Sequence, residues 1–501
     1  MKKILLLFLI TTSIFFTGCQ NDETKINSFD DLKSARIGVL PGTKYEIDAK
    51  KIFPDATYLY LDSLGSFIQS LNAGKIDAFV VGRAHYNALL NEGVKVSCLE
   101  QSVGKVEFAF FFPKDFNGSN LAAQMNLFLK DLNAGGELDK LKNKWFGSDN
   151  LERNFEKSKL DGVNGTLRMG TPANAVPFIY LERGEVNGYE AELFDKFCAA
   201  NGYNYEVNIK NFQGILFDLK TNELDIAADG TEILDSRKDT LIFSAPHYTD
   251  DEVVVIKSYD VGNENFFTDV KNQFVRSLFE ENRWEMIVEG VGITILIIAL
   301  PTILSTIFGF LLYLVYRKQH KLFNKIIDSI CTLLIGLPTI VILLIFYYVI
   351  FGSVDINGII VVIIAFSILS SLNIMLILKG GEKTIPKGQL EAAMALGFSE
   401  RQAFTKFILP QITQNFFPHY QSIILGFMRG TAIVGYVSVQ DLTRMADLIR
   451  SRTFDAFIPL LIVSVIYFIL SRLIIKVTDI FLKYINPKNR SRKEILKDVK
   501  L

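Results

Sequence analysis

Over the first 260 residues short apolar runs alternate with amphipathic stretches, and beyond residue 285 the apolar runs become far longer. Residues 35–40 (ARIGVL), 56–61 (ATYLYL) and 75–81 (KIDAFVV) read as strands, with helical patterns between them, one over Ser63–Ala73. From residue 166 the habit repeats: TLRMGT, the amphipathic YEAELFDKFCAANG, YNYEVNI, a helix, LDIAAD and EVVVIKS. Alternation of this kind predicts α/β lobes with largely parallel sheets. The polar residues 148–165 between them read as a linker. Five later stretches, 286–316, 326–351, 357–378, 416–440 and 456–475, each supply the roughly 20 apolar residues needed to cross hydrocarbon.

The amino terminus, MKKILLLFLITTSIFFTGC, has a charged start at Lys2 and Lys3, an apolar core from Ile4 to Phe16, and the small approach Thr17-Gly18. The core is short for a span, so it reads as an export signal. Its end resembles a bacterial lipobox, with Phe16 where Leu is usual, and Cys19 as the lipidated mature N-terminus. Ordinary cleavage and an uncleaved anchor are the other readings, and one acyl signal anchors only marginally.

Loop charge orients the spans. Spans one and two are joined by a loop with four basic residues, spans three and four by one with five, and nine follow from Arg472 onward. The opposite loops carry only Arg444, Arg450 and Arg452. The first group is therefore cytoplasmic, which puts the lobes outside and the C-terminus inside, in agreement with the export signal.

The 53 Lys+Arg and 54 Asp+Glu give a net charge of −1, a balance unlike that of a polybasic nucleic-acid binder. The average conceals −11 over residues 1–281 and +10 over 282–501. Beyond Cys19 only Cys98, Cys198 and Cys331 occur, with no CxxC or His-rich cluster, so neither a disulfide framework nor a metal site is expected. Cys331 lies in an apolar helix; Cys98 and Cys198 read as buried thiols, although an exported location permits a bridge.

The lobes resemble the extracellular solute-binding proteins of polar amino-acid ABC importers. Leu167-Arg168-Met169-Gly170-Thr171, Val176-Pro177-Phe178, Gly188-Tyr189-Glu190, and Arg237 followed by Phe243-Ser244-Ala245-Pro246 stand in the order of that family's opening half. Asp31-Leu32-Lys33, Ile37-Gly38-Val39, Gly42-Thr43, Leu71–Ala78 and Lys144-Trp145-Phe146-Gly147 resemble its closing half, yet come first. Three readings fit: a circular permutation, two degenerate half-domains, or lobes paired between subunits. The resemblance implies that Arg237 forks onto a solute carboxylate. It also implies that Gly42-Thr43 adds a backbone N–H and a hydroxyl from the opposite lobe. Phe178 and Tyr189 are candidates either for packing on the solute or for the core. The family's ammonium-binding Asp is Gly82 here, and Leu234 and Glu232 replace two usual hydroxyl positions. Either Glu232, Asp229 or another acid takes the ammonium, or the solute is not a standard α-amino acid.

The loop between spans three and four reads Glu391-Ala392-Ala393-Met394-Ala395-Leu396-Gly397, continuing to Ile408-Leu409-Pro410, with Ile385–Gln389 before it. It resembles the EAA coupling loop of bacterial ABC importer permeases, in which Glu391, Ala392, Ala393 and Gly397 would form and end a short helix seated in an ATPase groove. Gly290 and Thr294 match that family's first span. Leu376 and Lys379 stand where its polar amino-acid branch has Glu and Arg, and Gly336-Leu337-Pro338-Thr339 lacks an Arg. Arg429, inside the fourth span, serves either an anionic solute in the pathway or a structural pair.

The expected protein is a multidomain membrane protein: an α/β two-lobed, type II periplasmic-binding-protein-like ectodomain followed by an all-α five-helix permease. The expected parts are a signal at 1–19, lobes at 20–147 and 166–258, linkers at 148–165 and 259–282, a permease at 283–480 and a basic tail at 481–501. No G-x-x-x-x-G-K-[ST] loop occurs, so ATP and Mg belong to separate cytoplasmic ATPase subunits and no cofactor or metal to this chain. The implied partners are those ATPases, a second copy or a related permease, a small polar solute and the bacterial cytoplasmic membrane, but no nucleic acid. The competing function is a ligand-gated channel or transmembrane sensor, which should show a filter such as TVGYG or a cytoplasmic catalytic domain.

Overall fold

The computed structural model describes residues 26–485 apart from 62, 148–152, 259–265, 319, 353, 355 and 456. Cys19, the export signal and the end of the basic tail lie outside the described residues.

The early segment supplies β1 (Arg36–Val39), β2 (Thr57–Tyr60), β3 (Ala78–Gly82), β4 (Val96–Phe108) and β5 (Phe111–Pro113). The later one supplies β6 (Thr166–Thr171), β7 (Asn174–Ala175), β8 (Ile179–Glu182), β9 (Glu185–Asn187), β10 (Asn204–Ile209), β11 (Ile226–Ala227), β12 (Leu241–Phe243) and β13 (Tyr248–Lys257). The first lobe's sheet has the order β2-β1-β3-β13-β4 and the second's β10-β6-β11-β5-β12. Each lobe thus holds one strand from the other segment, and the chain passes between lobes at β4–β5 and again at β12–β13. The two segments complete one another within a single chain.

The sheets are mixed, not largely parallel as expected. β1 lies parallel to β2 and β3, and β6 to β10 and β11. The exchanged strands enter from the opposite direction, so β13 is antiparallel to β3 and β4, and β5 to β11 and β12. The same clip closes each lobe: Arg36 holds Asp77 at 2.5 Å and Arg168 holds Asp225 at 3.0 Å. In both, the aspartate also accepts the arginine's own backbone N–H at 2.8 Å, pinning the start of β1 and of β6.

Helices α1 (Lys44–Ile52), α2 (Leu64–Asn72) and α3 (Arg83–Asn91) cover the first sheet. Thr43 and Ser63 cap α1 and α2 by accepting backbone N–H bonds. The helices α4 (Phe116–Ala134) and α5 (Glu137–Phe146) pack with the second lobe, beside α6 (Tyr189–Ala200); α7 (Phe212–Lys220) completes that layer. Trp145 on α5 is buried with its indole N–H donated to Glu192 Oε2 at 2.8 Å. Cys98, Cys198 and Cys331 are free thiols, and Cys98 is only half-buried.

Beyond the lobes run α8 (Phe266–Leu278), α9 (Trp284–Arg317), α10 (Lys321–Ile335), α11 (Thr339–Leu344, continuing as a wider turn to Ile350) and α12 (Gly358–Lys383). Then come α13 (Lys387–Ala395), α14 (Glu400–Ala403), α15 (Leu409–Thr431), α16 (Leu442–Thr453) and α17 (Phe457–Ile485). Among the described residues three helices are long and apolar enough to cross a membrane, or four if one bent pair is a single span. That pair corrects the second expected span: 321–335 and 339–350 meet at 107°. Pro338 has no N–H to continue the ladder, and its ring restricts the residue before it. The fourth span is also shifted. Its helix occupies 409–431 instead of 416–440, and Val434–Val437 forms a separate tight turn. Gly290 and Thr294 on α9 seat α16: a Cβ at Gly290 would lie 2.8 Å from Leu442 Cα, and Thr294 Oγ1 accepts the Leu442 N–H at 3.1 Å.

Candidate functional site

The cleft between the lobes brings several sequence-selected residues together. Arg237, in a short turn after β11, donates from Nη2 to the Gly42 carbonyl at 3.0 Å across the cleft, and its guanidinium lies 5.1 Å from the Phe212 ring. The other groups expected of the Gly42-Thr43 turn are already engaged. Gly42 N–H donates to Glu46 Oε2 at 2.7 Å, and the Thr43 hydroxyl donates to Leu40 O at 2.7 Å while capping α1. Both groups are thus held within their own lobe.

Phe178 and Tyr189 belong to the core. Neither is exposed. Phe178 packs on Phe108, Phe146 and Tyr248 at ring distances of 4.4, 5.1 and 5.6 Å, and the Tyr189 hydroxyl donates to His247 O at 2.9 Å. Gly188 makes this packing possible: its φ is +122°, and a Cβ would sit 2.4 Å from Phe178 O.

The floor of the cleft is acidic. Glu232 is buried, and desolvation pushes its carboxyl up to about 7, with Arg237 opposing the shift. Asp229 is held well above its ordinary value by burial and by Glu190 and Glu232. Glu190 accepts the Gly230 N–H at 2.8 Å and lies 3.2 Å from His247 Nε2, both side chains being fully enclosed. Asp250, which the sequence reading missed, comes from β13. A Cβ at Gly82 would meet its Oδ2 at 2.7 Å, the Tyr45 hydroxyl at 3.1 Å and His85 Nδ1 at 3.5 Å. Asp250 Oδ2 accepts the Ala84 N–H at 2.7 Å, and burial raises its carboxyl to about 6. Tyr45 Oη and His85 Nδ1 are enclosed without hydrogen-bond partners among the described residues. The space that a side chain at Gly82 would fill is thus occupied by an acid from a neighbouring strand. The only signal in the sequence is the Thr249-Asp250-Asp251-Glu252 run ahead of VVVI.

In the membrane half α13 carries the Glu391–Gly397 motif. Glu391 and Ala392 are exposed and Ala393 is buried, so Ala392 is open to a partner and Ala393 packs inward. Met394 and Leu396 supply exposed apolar surface instead. Gly397 ends the helix with φ +89° and open space around its Cβ position. Behind the loop, Arg317 binds Glu382 at 2.9 Å and Glu400 at 3.5 Å and stacks over Phe404 at 4.2 Å, while Lys379 pairs with Asp328 at 3.0 Å. These pairs tie the loop to α9, α10 and α12. Arg429 lines a cavity of about 500 Å³ with Thr339, Ser370 and Asn373. Its Nε donates to Leu425 O at 3.3 Å, and it has no carboxylate partner among the described residues.

Residues 302–491 match the family model for the inner membrane component of binding-protein-dependent transport systems. Residues 167–391 match the model for bacterial extracellular solute-binding proteins, family 3. A protein provisionally named glutamine transport system permease protein GlnP from Rickettsia typhi is 29% identical over 192 residues, 38% of this chain and 87% of its own. Arginine transport system permease protein ArtQ from Bacillus subtilis is 29% identical over 189 residues, 37% of this chain and 85% of its own. A solved structure described as an amino acid ABC transporter with histidines is 26% identical, covering 44% of this chain and all of its own, with a TM-score of 0.38.

Proposed function

We propose that the chain, a fusion of a family 3 solute-binding domain with a binding-protein-dependent permease domain, works as its amino-acid permease relatives are named, capturing an amino acid or a closely related solute outside the cell and passing it inward. The observation that carries this is the polarity of the cleft. Arg237 stands at one end as a fork for a carboxylate, and Asp250, framed by Tyr45 and His85, stands at Gly82 as a fixed acceptor for an ammonium group. In this reading those two groups take the two charges of a zwitterion. Asp250 takes the part left empty by Gly82.

In this reading residues 20–147 and 166–258 form one circularly permuted receptor, residues 283–480 form the permease, and the tail is cytoplasmic. The exchange of β5 and β13 supports the permutation. Glu391, Ala392, the exposed Met394 and Leu396, and the break at Gly397 present the coupling helix to a separate ATPase, which supplies ATP and Mg. Ala393 anchors that helix from behind. Arg429 faces a cavity in the pathway, and a second copy or a related permease completes it. Fusion keeps the receptor at high effective concentration beside its permease.

A calorimetric screen of the full chain in lipid nanodiscs against L-glutamine, L-arginine, dicarboxylates and polyamines tests the reading. Binding of an α-amino acid that is lost in its des-amino analogue supports it. Exclusive binding of dicarboxylates would overturn the ammonium assignment.

A further inference from the structure

Helix α16 belongs to the membrane half, yet it lies against the receptor, and its three arginines divide between the lobes. Arg444 Nη2 donates to Pro172 O in the second lobe at 3.3 Å. Arg450 packs on the first turn of α2 in the first lobe, where a Cβ at Gly65 would lie 3.3 Å from its Cγ. Arg452 reaches furthest. Its Nη1 pairs with Glu92 at the end of α3 in the first lobe, and its Nη2 lies 2.5 Å from Glu281 Oε1, just before α9. Its guanidinium stands 5.0 Å over the Tyr180 ring of β8 in the second lobe.

Neighbouring groups reinforce the knot. Glu281 also binds Arg283 at 2.8 Å, and Arg276 of α8 donates to the carbonyls of Glu92 and Thr453. A cavity of about 280 Å³ opens at this place, lined by Asn91, Glu92, Arg153, Tyr180, Glu182 and Arg452. Arg452 is therefore one of the few side chains here that touches both lobes, and it is mostly enclosed.

We propose that Arg452 is a closure-reading residue: a single guanidinium that satisfies Glu92, Tyr180 and Glu281 together only while the lobes stand as they do across the Arg237–Gly42 contact, and so ties the state of the cleft to the start of α9. Parting the lobes would strip the first-lobe carboxylate or the second-lobe ring from a desolvated cation, which is unfavourable for an arginine already withdrawn from water. The relation is reciprocal, since whatever stabilises the closed lobes stabilises the seat of Arg452 and the reverse. This device rests on the importer reading for its purpose but not for its test.

The test is hydrogen–deuterium exchange of the full chain in lipid nanodiscs without added solute, comparing wild type with Arg452→Ala, Arg452→Lys and Glu92→Gln. Arg452→Ala should speed exchange on the order of tenfold in the cleft-facing peptides around residues 42–46 and 229–237, as well as in α16. Arg452→Lys, which keeps charge without the fork, should fall between, and Glu92→Gln, which removes only the first-lobe carboxylate, should loosen the same cleft peptides. Loosening confined to α16, with wild-type exchange at 42–46 and 229–237, would overturn the proposal. So would wild-type cleft exchange in a folded Glu92→Gln chain. A wild type that gains no protection from L-glutamine or L-arginine would count against the choice of solute, and the solute-free comparison would still decide on Arg452.

Discussion

Arg237 and Gly42 are 195 positions apart, and a 3.0 Å hydrogen bond joins them across the cleft. The guanidinium that would fork onto a carboxylate rests on a backbone carbonyl of the opposite lobe. A solute carboxylate would displace a neutral acceptor with a charged one, and charge-assisted bonds are the stronger. Arg237→Ala should therefore weaken binding of a carboxylate-bearing solute by about 10- to 100-fold. Calorimetry on the full chain reads this directly, and an unchanged dissociation constant would remove Arg237 from the site.

Asp250→Asn keeps the shape that accepts the Ala84 N–H but removes the charge. Affinity for an ammonium-bearing solute should drop on the order of 100-fold. Burial raises the Asp250 carboxyl to about 6, so wild-type affinity should fall as pH drops through that value and the anion is neutralised. Titrations from pH 5 to 8 should show this slope in wild type and a flatter one in Asp250→Asn. Parallel slopes would contradict the assignment.

Stability without solute should move the other way. Burial pushes Glu232 and Glu252 up to about 7 in the folded lobes, above the ordinary carboxylate value. Between about pH 4.5 and 7 the folded chain holds protons that the unfolded chain has released, so stability falls as pH rises through that window. The melting temperature of the receptor transition should decline from pH 5 to 7.5, and Glu232→Gln should shallow the decline. A transition that rises over this range would refute it.

Gly397 sits at φ +89°, which proline cannot adopt and other side chains adopt only under strain. Gly397→Pro and Glu391→Lys should each abolish solute-stimulated ATP hydrolysis by the partner ATPase while leaving the solute dissociation constant within about twofold. Loss of binding in either variant would show that the fold, and not coupling, was damaged.

Much of this arrangement was legible from local pattern. β1, β3, β6 and the run ending in β13 stand where apolar alternation placed them, and the Arg237–Gly42 pairing joins two residues chosen from motif resemblance alone. Long-range geometry was harder to read. No motif marks Asp250: the sequence directs attention to Gly82 and to Glu232 and Asp229, whereas this acid arrives on the antiparallel neighbour β13 and bonds Ala84 from 166 positions away. Hydropathy sees the composition of residues 326–351 and not the hydrogen bonds broken at Pro338, so a sharply bent pair read as one span. Phe178 and Tyr189 show a further limit: a motif says that an aromatic ring matters, and only packing says whether it faces solute or core.

The place of β13 has a mechanical side. This strand lies between β3 and β4, paired to β4 along nearly all of its length and to β3 from Glu252 to Ile256, and it is also the last piece of the receptor before the chain turns to the membrane. A load along that tether runs parallel to the strand axis, so it must slide two ladders at once in shear and cannot peel one rung at a time. The receptor is thus hung from a strand inside its sheet and not from a fraying end, and membrane jostling reaches the hinge through backbone that the sheet grips on both sides.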